Sequence, residues 1–319
     1  MQTSTELPKH YIIYPEYRPN VSKLKKIVYI VSGIVLSPIY WGLAYILRTP
    51  GLMFRKYFVL LGVRFISAKR DFRNAYIFIT CPLDSVRYFE FEFMWQSVRN
   101  MKIISYLDVS SPRMFPLMLV ERFNHIVADL INPDKRDLTE TVAIAETLGV
   151  AGNCSFHADL IEDAHLKPSS FDLITSMSVI EHIQDDKGAI QKMWDLLKPG
   201  GRLLISLPCA ANAYEEHMNR NDYELYHPDE NGFIFFQRFY DGKLLQERVF
   251  SVTGKPQRCQ IYAEKHAGSY EENEAEKRTN PFYPFWRCPF MMGLQYEFKK
   301  HLSELPGIGV IAMEFVKSH

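Results

Sequence analysis

The sequence predicts an α/β domain, doubly wound around a mostly parallel seven-stranded sheet, with an N-terminal hydrophobic helical segment. Three observations predict it. From residue 103 onward, short apolar runs suited to buried strands alternate with amphipathic helical stretches. The first two of those runs carry aspartates, Asp108 and Asp129, where the strands are expected to end. Near the N-terminus, residues 27–47 hold twenty-one residues without a charge, bracketed by Lys23, Lys25, Lys26 and Arg48.

Composition narrows the class. The chain has 319 residues, 47% apolar and 23% charged, enough for a sizeable core. Lys+Arg and Asp+Glu number 37 each, so the electrostatic footprint of a nucleic-acid binder is missing and no nucleic acid is expected as a partner. Cys81, Cys154, Cys209, Cys259 and Cys288 are scattered without a C-x-x-C pair. That spacing fits a reducing compartment and gives no metal-ligand set.

The organisation is read as a polar tail at 1–26, a membrane-associated helical segment at 27–75, and an α/β domain at 76–319, with core 103–208 and a C-terminal cap and last strands at 209–319. A run of ~20 apolar residues matches the thickness of a bilayer's hydrocarbon layer. Tyr29, Tyr40, Trp41 and Tyr45 are of the interfacial type. Pro38 interrupts a straight span and leaves a re-entrant hairpin open, because proline removes a helix hydrogen bond. The bland alternative is a helix pair buried on the following domain. The expectation is membrane association with the α/β domain in the cytoplasm, or a cytoplasmic protein if the segment is buried. Removal of residues 1–75 is expected to leave a folded, soluble domain. Residues 82–85 read as a turn, and Arg87, Glu90 and Glu92 as part of a partly exposed helix covering the sheet's edge.

The core elements follow in order. Residues 103–109 are the first strand. Ser111 and Pro112 suit the start of the helix 114–123, where a missing N–H costs nothing. Residues 125–129 are the second strand, and 138–148 a helix closed by Gly149. A short strand at 154–158 precedes Asp159. Residues 170–176 are a buried strand, 189–197 a helix, 198–201 a glycine turn and 202–207 a fifth strand. Residues 260–263 and 309–317 are read as the last two strands. The aromatic run 233–240 is assigned to core packing, 266–277 to a solvated helix or loop, and the aromatic insert 280–298 to an acceptor wall, a bilayer contact or a plain cap.

Two stretches carry a family resemblance: FDLITSMSVIEHI at 171–183 and LLKPGGRLLISLP at 196–208. Behind two aspartate-bearing strands, they make residues 103–208 resemble a class I S-adenosylmethionine-dependent methyltransferase, of a type 11-like kind with a glycine-poor first motif. A dinucleotide-binding dehydrogenase is disfavoured, since no G-x-G-x-x-G stands at a strand end. The resemblance implies a Rossmann-like fold and S-adenosylmethionine as cofactor. It implies that Asp108, Val109 and Ser110 line the methionine end and that Asp129 accepts from the ribose hydroxyls. Asp159 would accept from the adenine amino group, with Asp163 competing, and Leu160 would contact the ring. Ser178 joins them at the rim, and Glu181 and His182 are the candidate catalytic pair, with His217 and His227 as further histidines within range. Val179 shares that rim. Each has a plainer role available: strand-end aspartates, a helix start at 181–182, surface histidines.

Ser110, Ser111, Pro112 and Arg113 stand where the resembled family usually has glycines. Serine is the mildest replacement, and Arg113 either meets the cofactor carboxylate or faces solvent. The expected function is methyl transfer to a small-molecule or lipid or glycan acceptor near a membrane, such as a lipid, a quinone or a sugar intermediate. The alternative is a non-catalytic member of the fold acting as a membrane-tethered scaffold or binding module.

Overall fold

The computed structural model describes residues 7–15, 21–221 and 225–318. Among them the strands are β1 (Lys9–Ile12), β2 (Ser105–Val109), β3 (Val127–Ile131), β4 (Cys154–His157), β5 (Phe171–Met177), β6 (Leu197–Cys209), β7 (Tyr214–Met218), β8 (Ile234–Phe239), β9 (Arg258–Glu264), β10 (Tyr296–Lys299) and β11 (Gly309–Val316). The main sheet runs β10-β9-β11-β6-β5-β2-β3-β4. Strands β2 to β6 pair in parallel, and β11 enters antiparallel between β6 and β9. The seven expected strands are present, and the insert adds β10 as an eighth at the edge.

Parallel strands buried on both faces need helices on both sides. The helices α1 (Lys23–Ile46), α2 (Arg55–Lys69), α3 (Phe72–Thr80), α4 (Arg87–Val98), α5 (Met114–Arg122) and α6 (Lys135–Leu148) precede α7 (Asp186–Leu196). The side chains of α4, α5 and α6 build one apolar cluster, and those of α7 with Leu244, Leu245 and Val249 build the other. The chain winds from β2 to β4 in one direction and from β5 to β6 in the other. The switch point therefore lies between β2 and β5, where a ligand crevice opens at the carboxyl ends of the strands.

Several expectations need correction. Lys9–Ile12 of the expected tail form β1, parallel to β7 in a second sheet of order β1-β7-β8. Residues 1–6 and 16–20 of that tail lie outside the described residues. Helix α4 is not a half-exposed cover: Tyr88, Phe89, Glu90, Phe91, Phe93 and Met94 are all buried. Only Arg87, Glu92, Trp95 and Gln96 keep some exposure, and the Arg87–Glu90 pair neutralises the one charge the helix carries inside.

The segment 27–47 is neither a hairpin nor an unattached rod. It lies within α1, one 24-residue helix that continues through Pro38. One stripe, Gly33, Ser37, Trp41 and Ala44, is buried, at the i, i+4 spacing of a packed face. Ser37 Oγ donates to the Thr80 carbonyl at 3.2 Å, and the Tyr29 ring packs at a tilt, 4.6 Å between centres, against Trp286 of the insert. A Cβ at Gly33 would come within 2.0 Å of the Tyr76 hydroxyl, so only glycine permits this approach. The opposite side, with Ile27, Val31, Ile34, Val35 and Ile46, is exposed. Phe54, Phe58, Phe65 and Phe78 belong to the same apolar cluster as Tyr106 and Leu173 of the sheet. Removing residues 1–75 would therefore open the core, contrary to the expected separable anchor.

Candidate active site

The loop after β2 makes its bend without glycine. Ser110 adopts the left-handed region (φ 54°), a conformation that costs a non-glycine residue about 1–2 kcal/mol. Two hydrogen bonds offset that cost: the Ser110 N–H and Oγ donate to the Ile131 carbonyl at 2.9 and 3.0 Å. The next residue is held as firmly. Ser111 N–H donates to Asp108 Oδ2 at 3.0 Å, and Ser111 Oγ accepts from Met177 N–H at 3.0 Å. Asp108 also accepts from Thr175 Oγ1 at 2.5 Å and Tyr106 OH at 3.2 Å. Burial pushes its carboxyl up to about 6, while these donors pull it the other way.

A cavity of about 1050 Å³ opens at this end of the sheet. Val109, Ser110 and Ser111 line it from β2 and its loop, and Ile131 and Asn132 from the end of β3. Leu160, Ile161 and Asp163 line it after β4, and Met177, Ser178, Val179 and His182 after β5. Four of the expected site residues, Val109, Ser110, Leu160 and Ser178, thus meet here, together with His182.

Most of the remaining candidates lie elsewhere. Strand β3 runs two residues past the predicted end, so Asp129 is inside the strand; its Oδ1 lies 2.7 Å from His157 Nε2 of β4. Residues two apart on a strand share a face, but only the terminal ones reach the crevice. Asn132 takes the rim place expected for Asp129. Asp159 is exposed and off the lining, whereas Asp163 is on it. Asp108 is buried behind the loop, 3% exposed, and acts on the cavity through Ser111. Arg113 does line the cavity, where it is ion-paired to Asp137 and Glu140 of α6. His217 is buried beside Glu215 and His227 is exposed; neither lines this cavity.

A second cavity of about 250 Å³ adjoins the first, and Arg87, Ser178 and His182 line both. Glu181 belongs to the smaller one. Ser178 is left-handed too (φ 47°), and its hydroxyl donates to Glu90, which also accepts from Ser206 Oγ at 2.7 Å. Glu90 is the residue that sequence reasoning missed. Its charge, three residues after Arg87 inside an aromatic helix, was the available sign. His182 Nδ1 sits 2.6 Å from the Phe236 carbonyl; because that carbonyl can only accept, Nδ1 donates and Nε2 keeps its lone pair, 4.0 Å from Glu181 Oε1. Burial lowers His182 to about 4, so the ring is neutral at pH 7. Burial raises Glu181 to about 8, against the pull of Arg87.

Residues 130–261 match the profile of a methyltransferase domain. The chain is 36% identical over 66 residues to a ubiquinone biosynthesis O-methyltransferase of Xanthomonas euvesicatoria, covering 20% of this chain and 28% of that protein. It is 29% identical over 92 residues to the ubiquinone/menaquinone biosynthesis C-methyltransferase UbiE of Psychromonas ingrahamii, covering 27% and 37%. It is 29% identical over 89 residues to phosphoethanolamine N-methyltransferase 1 of Arabidopsis thaliana, covering 26% and 18%. These matches thus span well under half the length of the curated relatives. Among solved structures, the MccD protein superposes with a TM-score of 0.49 at 14% identity, over 72% of this chain and 96% of its own.

Proposed function

As a chain that carries a class I methyltransferase domain, this protein, we propose, moves a methyl group from S-adenosylmethionine to an acceptor held where the two cavities meet. The observation that carries the reading is the junction itself. A cavity at the switch point of a parallel sheet shares Arg87, Ser178 and His182 as lining with a smaller polar one.

The residues present fit the cofactor. Ser110 supplies the bend that glycine supplies elsewhere, so backbone can approach the methionine portion. Ile131, Leu160 and Ile161 form an apolar slot suited to an adenine ring, with Asp163 at its edge. Asn132 stands at the ribose position in place of Asp129. When bound, the cofactor's sulfonium supplies an activated methyl group. The chain's own contribution is alignment of the acceptor at the junction, exclusion of water by the buried walls, and proton acceptance by a neutral His182 or an ionised Glu181.

Calorimetric titration of the purified chain with S-adenosylhomocysteine tests this. Binding is expected, and Leu160→Asp, which places a charge in the apolar slot, should weaken it at least tenfold. No binding to the wild-type chain would overturn the enzyme reading and leave the scaffold alternative.

The finer part of the proposal is location. The exposed apolar side of α1, packed by its other side on the domain, suits a helix lying in the plane of a bilayer surface, with Lys23, Lys25 and Lys26 at its start. The acceptor would then be met at the membrane. Liposomes of mixed phosphatidylcholine and phosphatidylglycerol should sediment the wild-type chain, and Ile34→Glu with Val35→Glu should leave it in the supernatant. Equal sedimentation of both would sink the anchor.

A further inference from the structure

The smaller cavity holds two buried carboxyl groups, Glu181 and Glu216. Its cations are already engaged. Lys277 bridges Asp84 at 2.9 Å and Glu274 at 2.7 Å, and Arg87 pairs with Glu90 at 2.9 Å. Arg278 lies 5.8 Å from the centre of the Tyr14 ring and bears on Glu216. Glu216 accepts from Gln237 Nε2. Glu181 is only 2% exposed, and its Oε2 is buried with no hydrogen-bond partner. A buried acceptor left unmade costs about 1–3 kcal/mol, more when charged, so this oxygen calls for a donor from whatever enters the cavity. The walls around it include Phe236, Phe239 and Tyr296.

We infer that the smaller cavity is the acceptor subsite and takes an amine, whose nitrogen donates to Glu181 Oε2 while the aromatic walls hold its apolar part. This rests on the methyl-transfer reading and names its acceptor class. A hydroxyl acceptor would also fill the hydrogen bond, but it would add no positive charge to two desolvated carboxyl groups beyond the pull of Arg87 and Arg278. The amine arrives as an ammonium and gives one proton to ionised Glu181, which frees the nitrogen lone pair. That pair forms the new C–N bond as the methyl–sulfur bond breaks, with its electrons remaining on sulfur. The product leaves as a methylated ammonium, and Glu181 later releases the proton to water. A carboxyl raised to about 8 lies much closer to an ammonium than an ordinary one, so the transfer is less uphill. The charged groups around Glu181 are Asp84 ahead of α4, Arg87 and Glu90 on α4, His182 beside it, Glu216 on β7, and Glu274, Lys277 and Arg278 on the helix Ser269–Thr279.

The test is calorimetry on the full-length chain in detergent micelles, with 2-phenylethylamine and its neutral counterpart 2-phenylethanol as probes and S-adenosylhomocysteine titrated in parallel. The amine should bind at least tenfold more tightly than the alcohol. Its affinity should rise about tenfold per pH unit from pH 6 to 8, and Glu181→Gln should abolish the preference without changing S-adenosylhomocysteine binding. Glu216→Gln, a second variant, should reduce the preference. Equal binding of the two probes, or a preference that survives Glu181→Gln, overturns the inference while the methyl-transfer reading stands. An amine preference without S-adenosylhomocysteine binding leaves the amine site and overturns that reading instead. Displacement of the amine by phosphatidylethanolamine vesicles but not phosphatidylcholine vesicles would identify the amine as a lipid headgroup. Absence of displacement would identify a soluble amine.

Discussion

Asp186→Ala should lower the stability of the chain by about 3–5 kcal/mol, the loss expected when one partner of a buried ion pair is removed. Asp186 is fully buried at the start of α7. Its Oδ2 accepts from Arg238 at 2.7 Å and from Tyr240 OH at 2.6 Å. Its Oδ1 accepts from Arg248 and from the Lys187 N–H, both at 2.7 Å. One carboxylate thus ties α7 to β8 and to the segment that carries Arg248. Removing it leaves Arg238, 4% exposed, with Glu215 as its remaining ion-pair partner, and strands the Tyr240 hydroxyl. Asp186→Asn keeps some acceptor geometry and should lose less. Urea denaturation of the three chains measures this. A loss below about 1 kcal/mol for the alanine variant would mean that the network relaxes onto water and is not a structural tie.

Glu181→Gln should have the opposite sign and stabilise the fold. The unfolded carboxyl ionises near its ordinary 4.5, whereas burial holds the folded one at about 8. A folded-state value above the unfolded one means that the stability of the wild type is fully present below pH 4.5 and is lost as pH rises through 8. Each pH unit in that window is worth about 1.4 kcal/mol, so the glutamine variant should be more stable by about 3 kcal/mol at pH 7 and by little at pH 5. Urea midpoints from pH 5 to 8.5 read the difference directly. A difference that stays flat across that range would show that Glu181 ionises normally in the fold. The natural residue therefore sits at an energetic loss, which is what a site retained for chemistry looks like.

Much of the sheet was legible because buried parallel strands are apolar runs, and 103–109 and 170–176 read as such; β4, half-exposed at the sheet's edge, was legible by its place between a helix and Asp159. Asp129 was misplaced for a reason of register. The apolar run through Leu130 and Ile131 continues the strand, and a two-residue extension moves an acid from the rim into the ladder beside His157. The second sheet was not legible, since its pairing of Lys9–Ile12 with Tyr214–Met218 joins segments some two hundred residues apart. Glu90 was hidden by the same principle that buries it: a charge inside an aromatic helix reads as surface until its partners are seen. The glycine-poor loop was located correctly, but its solution was not readable. Ser110 takes the left-handed turn because two hydrogen bonds to Ile131, made across the β2–β3 pair, hold it there.

The shared interior of α1 to α3 and the sheet bears on how such a chain can change over generations. Ser37 on Thr80, Gly33 against Tyr76 and the phenylalanines of α2 and α3 join the first helix to the core by contacts that no linker could replace. A descendant lineage cannot lose its first helix by deletion alone. It would have to acquire polar replacements at Tyr76 and Trp286 in the same series of steps, which ties any loss of the helix to a change in what covers the core.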